Sequence, residues 1–183
     1  DQFTKYQIAG DLYEKPTQEQ LIASGFNRLH LIIDRGTALP EESHFKNVVD
    51  RVSAVGTAFM GLTLGCAVCH DHKYDPITQK DFYQMYAFFN NLDGPPQTGP
   101  KEPNGVQEPS IDIPKEHTIT AERAMVMKER NQTRKTFMRL RGAYDKMGEE
   151  VTGGTPAFLP PMEVAGDEPT RMDLANWLVA PEH

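Results

Sequence analysis

Proline and glycine set the limits on what this chain can become. Its 183 residues hold 14 of each, so 14 + 14 = 28 positions interrupt regular structure. Pro16 stops the first helical run, Pro40 precedes the longest one, and Pro76 ends the loop that follows it. Six prolines (Pro95, Pro96, Pro100, Pro103, Pro109 and Pro114) crowd residues 93–114. This spacing predicts short helices among long ordered loops, not a compact bundle. The apolar stretch from Val52 to Leu64 is broken by Gly56, Gly61 and Thr63, well short of the roughly 18 uninterrupted apolar residues of a membrane span. With 26 acidic and 19 basic side chains, the net charge of −7 argues against nucleic acid as the main partner. The basic cluster Lys128 to Arg141, interleaved with Glu129, Thr133 and Thr136, reads as a solvated strand face.

Periodicity places the elements. Residues 3 to 13 have helical spacing, and Thr17 with Gln20 forms a capping box opening a helix from about 18 to 28. Leu31, Ile32 and Ile33 form an apolar patch in the loop that follows. The longest helix runs from Glu41 to about Gly61, with Phe45, Val48, Val52 and Phe59 on one stripe and Glu41 and Glu42 in its first turn. A helix from Thr78 or Gln79 to Asn90 buries Phe82, Met85, Tyr86 and Phe89. Alternation predicts strands at 123–128 and 136–141, forming an antiparallel pair, and a last helix near 171–179. The fold class is therefore mainly α with a small antiparallel β element. A helical region from 1 to 92 leads through a Pro-rich connector, 93–118, to an accessory segment, 119–183. An opening on Asp1 and an abrupt stop after a helix read as an excerpt of a larger polypeptide.

The two cysteines, Cys66 and Cys69, stand in Cys66-Ala67-Val68-Cys69-His70, the spacing of covalent haem attachment. One turn puts both thiols on the same face, each able to add to a porphyrin vinyl group, and aims the next imidazole at the iron. Chance gives this arrangement in roughly four chains in ten thousand. Three other readings use the same thiols: a zinc site with His72 and either His30 or His44, a thioredoxin-like redox pair, and plain buried or disulfide-linked cysteines.

The run from Gly61 through Cys66-Ala67-Val68-Cys69-His70-Asp71-His72-Lys73-Tyr74-Asp75-Pro76 to Tyr83 resembles the planctomycete-type cytochrome c domain proteins. So do Ala9-Gly10-Asp11-Leu12, Gly25-Phe26-Asn27-Arg28 and Arg141-Gly142-Ala143-Tyr144-Asp145. The resemblance implies a secreted, haem-bearing protein built from domains of unknown function, with helices around one covalently attached haem c. It supplies no reaction.

On this reading His70 is the proximal iron ligand. The sixth position is open to His30, Met60, Met85, His44 or no residue at all. Arg28, Arg51, Lys73 and Tyr74 are candidates for the propionates, His72 for a propionate or a loop carbonyl, and Phe59, Tyr74, Phe82, Tyr86 and Phe89 for apolar walls. Electron transfer to a redox partner protein with a basic face is the leading function. A haem enzyme with an open distal site and a haem staple in a larger assembly are the alternatives. Thiol attachment takes place outside the cytoplasmic membrane, so the expected location is periplasmic or extracellular.

Overall fold

A computed structural model describes residues 1–29, 39–94, 106–113 and 123–181. Among them are five α-helices and two small antiparallel sheets. No helix among the described residues is long and apolar enough to cross a membrane. The patch Leu31-Ile32-Ile33 lies outside the described residues, as does His30.

Three of the five helices begin where a threonine side chain satisfies a first-turn amide. α1, Gln2–Ala9, continues as a 3-10 turn through Gly10–Leu12. α2, Gln18–Ser24, opens on the predicted capping box: Thr17 Oγ1 accepts from the Gln20 amide at 3.3 Å, and the Gln20 side chain accepts from the Thr17 amide at 2.8 Å. α3, Pro40–Val55, has Pro at its first position and Glu41 and Glu42 in its first turn. Phe45, Val48, Val52 and Val55 are its buried stripe. The expected continuation to Gly61 is real, but its last turn, Gly56–Met60, is a π-helix that ends on Gly61 with φ +66°. α4, Gln79–Asn90, starts from a second capping box, Thr78 with Asp81, and buries Phe82, Met85, Tyr86 and Phe89 as the periodicity predicts. α5, Arg171–Leu178, starts from a third, Thr170 with Asp173.

The strands depart from expectation. Segments form at β2, Arg123–Met125, and β3, Thr136–Arg139, yet they do not pair with each other. β2 pairs with β1, Ser110–Asp112, which lies inside the expected connector. β3 pairs with β4, Met147–Val151, across a short turn in which the Leu140 amide donates to the Lys146 carbonyl at 2.9 Å. A hairpin closes a shorter loop than a β2–β3 pairing would, and costs less chain entropy. The segment 128–141 is solvated in part: Lys128, Arg130, Lys135 and Arg141 are exposed as expected, whereas Thr136 and Arg134 turn to the protein. Thr136 is buried under a hydrogen bond from Asn90 Nδ2 at 2.8 Å, and Arg134 Nη1 donates to the Asn90 carbonyl at 3.2 Å.

One core joins these parts, with α3 and α4 at its centre and β3 and β4 against α4. α5 packs on α1, so the end of the chain closes over its beginning. Arg171 fixes that closure. Fully buried, it donates to the Asp11 carboxylate at 2.9 and 2.7 Å, to Glu129 at 2.8 Å and to the Ile8 carbonyl at 2.9 Å.

Candidate functional site

After Gly61 the chain enters a 3-10 turn, Leu64–Ala67. Leu64 and Ala67 bury completely, and that inward pull leaves Cys66 facing out. The chain leaves the turn at Val68, so Cys69 and His70 are exposed as well. Both cysteines are free thiols.

The bend between them is held from below. The Val68 carbonyl accepts from Tyr83 Oη at 3.0 Å and from Gln79 Nε2 at 2.9 Å, both on α4. The same Gln79 nitrogen donates to the Arg139 carbonyl at 3.0 Å, which ties the end of β3 to the motif. Gly142, in the following turn, lies against Cys69. Its φ is +69°, and a Cβ built on it would stand 2.6 Å from the Cys69 Sγ, so no other residue fits there without a shift.

His70 Nδ1 lies 2.7 Å from the Asp71 carbonyl. A carbonyl only accepts, so Nδ1 carries the proton, and the neutral ring keeps its Nε2 lone pair available for a metal. His72 has the opposite arrangement. Its Nδ1 accepts from the amides of Tyr74 at 3.2 Å and Asp75 at 2.9 Å, so it braces loop amides and not the loop carbonyl that sequence spacing suggests. The Asp75 carboxylate at 3.4 Å from the same nitrogen is then no ion pair in the neutral ring, because two amide donors already occupy Nδ1. Asp71 accepts from the Gln79 amide at 2.8 Å, and Asp81 is spent on the α4 cap and the Ala157 amide at 3.0 Å.

The remaining candidates scatter. Lys73 and Tyr74 lie on the exposed loop just beyond the motif, with the Lys73 ammonium 5.1 Å from the Tyr74 ring centre. Arg28 is buried elsewhere, donating to the carbonyls of Asp93 at 2.8 Å and Glu108 at 3.0 Å. Burial lowers its pKa, with Asp93 and Glu108 opposing. Arg51 is buried too. Its Nε donates to the Asn27 carbonyl at 2.7 Å, and desolvation, helped by Arg28, lowers its pKa to about 9. Met85 is fully enclosed in the core, whereas Met60 is half-buried at the end of the π turn. His44 is not the exposed residue that its place near a helix start suggests. Its Nε2 bonds Asn90 Oδ1 at 2.8 Å, Arg134 caps the ring, and burial lowers its pKa to about 4. Phe82, Tyr86 and Phe89 face the protein interior and wall no surface cleft.

Arg139 was not among the candidates. Its Nε and Nη1 are enclosed and have no hydrogen-bond partner among the described residues. A buried donor left unsatisfied costs about 1–3 kcal/mol, more when charged. Its charge acts on Tyr83 and Tyr86, whose phenols desolvation pushes well above their ordinary pKa while Arg139 pulls the other way. The register shift between Phe137 and Arg139 is a bulge, a device that re-aims a side chain, and no periodicity in the sequence announces it.

The chain matches no curated protein and no solved structure. A family model described as PSCyt2, a protein of unknown function (DUF1549), matches residues 1–94, which carry α1 to α4 and the cysteine motif. Spanning more than half of the sequence, that match makes the chain a member of the PSCyt2 (DUF1549) family.

Proposed function

We propose that Cys66 and Cys69 hold one covalently attached haem, that His70 Nε2 ligates its iron, and that the domain transfers single electrons outside the cytoplasm. The observation carrying this reading is the pairing of two free, exposed thiols in one bend with an imidazole whose Nδ1 is bonded to the Asp71 carbonyl and whose Nε2 is left as a ligand. The two thiols would hold a haem by adding S–H across its two vinyl groups, and α4 holds their spacing through the Val68 carbonyl. When bound, haem supplies the one-electron ferric/ferrous couple. The chain's net charge of −7 favours a partner with a basic face, an attraction that salt weakens.

The test is export of the full chain in a host that matures c-type cytochromes. The expected product has the mass of one added haem that survives denaturation, and Cys66→Ala with Cys69→Ala loses it. A wild-type chain of unaltered mass under those conditions sinks the proposal. A low-spin ferric spectrum indifferent to cyanide supports electron transfer, whereas a high-spin spectrum that binds cyanide rapidly transfers the case to a haem enzyme.

A further inference from the structure

We infer that the groove between α1 and α2 binds a short neutral oligosaccharide, whose ring faces rest on Phe3 and Tyr6 while its hydroxyls bond the side-chain amides of Gln2, Gln7 and Gln18. The site is separate from the thiols and does not depend on the haem reading.

The two helices present matching edges. On α1, Gln2, Phe3, Tyr6 and Gln7 stand at i, i+1, i+4 and i+5, which is one face of a helix. On α2, Gln18, Glu19, Ile22 and Ala23 repeat that spacing. Gly10 lets the helices close on each other, since a Cβ there would stand 2.1 Å from the Gln20 carbonyl oxygen. Between the facing edges lies a hollow of about 730 Å³, within the roughly 300–1,000 Å³ of small-molecule sites. A second hollow, of about 480 Å³, shares Gln7 and Ile22 with the first and continues past Phe26 to Leu29. Such a track suits a chain of rings better than a single one.

The lining selects the ligand. Phe3 is 70% exposed at the rim, and Tyr13 packs edge-on against Tyr6 with ring centres 5.7 Å apart. Gln20 and Gln79 spend their amides on the α2 cap and on the cysteine motif, but those of Gln2, Gln7 and Gln18 have no partner among the described residues. A side-chain amide both donates and accepts, as a sugar hydroxyl does, and an open aromatic ring covers the C–H face of a pyranose. Charge opposes the other classes. Glu19 is the one carboxylate along the first hollow, whose lining holds no cation to receive a phosphate or an acidic sugar. Arg123, beside the second, is already paired with Glu108 and Asp112.

The test is isothermal titration of the full chain with cellohexaose, mannohexaose and xylohexaose as probes, with amide chemical shifts to locate the site. At least one probe should bind saturably at millimolar concentration and move amides of α1 and α2, leaving those of 66–70 in place. Phe3→Ala should weaken that binding about threefold to tenfold, the loss of one stacked ring, with no fall in melting temperature. Phe3→Trp should retain it, and Gln18→Ala should weaken it by about twofold to tenfold, the loss of one hydrogen bond. Hexagalacturonate should bind more weakly than the neutral probe, and Glu19→Gln should narrow the gap. Binding by none of the three neutral probes, shifts centred outside α1 and α2, or wild-type affinity in Phe3→Ala overturns the assignment. A preference for hexagalacturonate overturns it as well, and so does a neutral glutamine-rich peptide that displaces the sugar and binds more tightly.

Discussion

Single atoms decide the character of the site. His70 and His72 are two residues apart, yet a carbonyl on Nδ1 leaves the first with a free Nε2 lone pair and amides on Nδ1 make the second a brace. Gly142 acts at the same scale. Replacing it with Ala forces a left-handed backbone on a residue with a Cβ and drives that carbon toward Cys69 Sγ. Gly142→Ala should lower unfolding free energy by about 1–3 kcal/mol in urea. Gly166→Ala, where a Cβ meets nothing, should stay within about 0.5 kcal/mol. Of these residues, the cysteines and His70 were singled out from sequence, because the reading proposed for them lies in local spacing. Gly142 acquires its meaning from Cys69, 142 − 69 = 73 positions away, and Arg139 is tied to Gln79, 60 positions away, which no spacing rule reports. The run Arg141-Gly142-Ala143-Tyr144-Asp145 stood out as a family feature, without any sign that it rests on the motif.

At the scale of elements, caps and stripes were legible. The Thr17 box and the inward face of α4 follow from side-chain chemistry within one or two turns. Strand pairing was not, since β4 is Met-Gly-Glu-Glu-Val, a sequence of low strand propensity recruited by its neighbour. His44 shows what element packing does to chemistry. It joins α3 to α4 through Asn90, and burial, with Arg134 beside the ring, lowers its pKa from 6.5 to about 4. The unfolded chain therefore binds the extra proton first. The contribution of His44 is complete above pH 6.5 and is lost as pH falls toward 4, by roughly 3 kcal/mol in all. Urea denaturation at pH 7 and pH 4.5 should show this loss in wild type and a clearly smaller one in His44→Gln.

For the whole molecule, the sequence suggested a helical first part and an accessory second part, divided by a connector. The described residues form one core in which the last helix rests on the first, with Arg171 bonded to both Asp11 and Glu129. That closure was invisible beforehand because the partners lie 160 and 42 residues away. Arg171→Met leaves two carboxylates without their cation, and should cost about 3–5 kcal/mol in urea or thermal unfolding. Adding Asp11→Asn should recover part of that loss, because the more deeply buried of the two carboxylates is then neutral.

The Val68 carbonyl has a consequence for the order of events. Two donors from α4 hold it, one of them shared with Arg139, and none of the three belongs to a cofactor. The bend separating the thiols is thus a product of folding alone. Whatever reacts with them meets a gauge already set by a helix that begins ten residues after Cys69, and must conform to it.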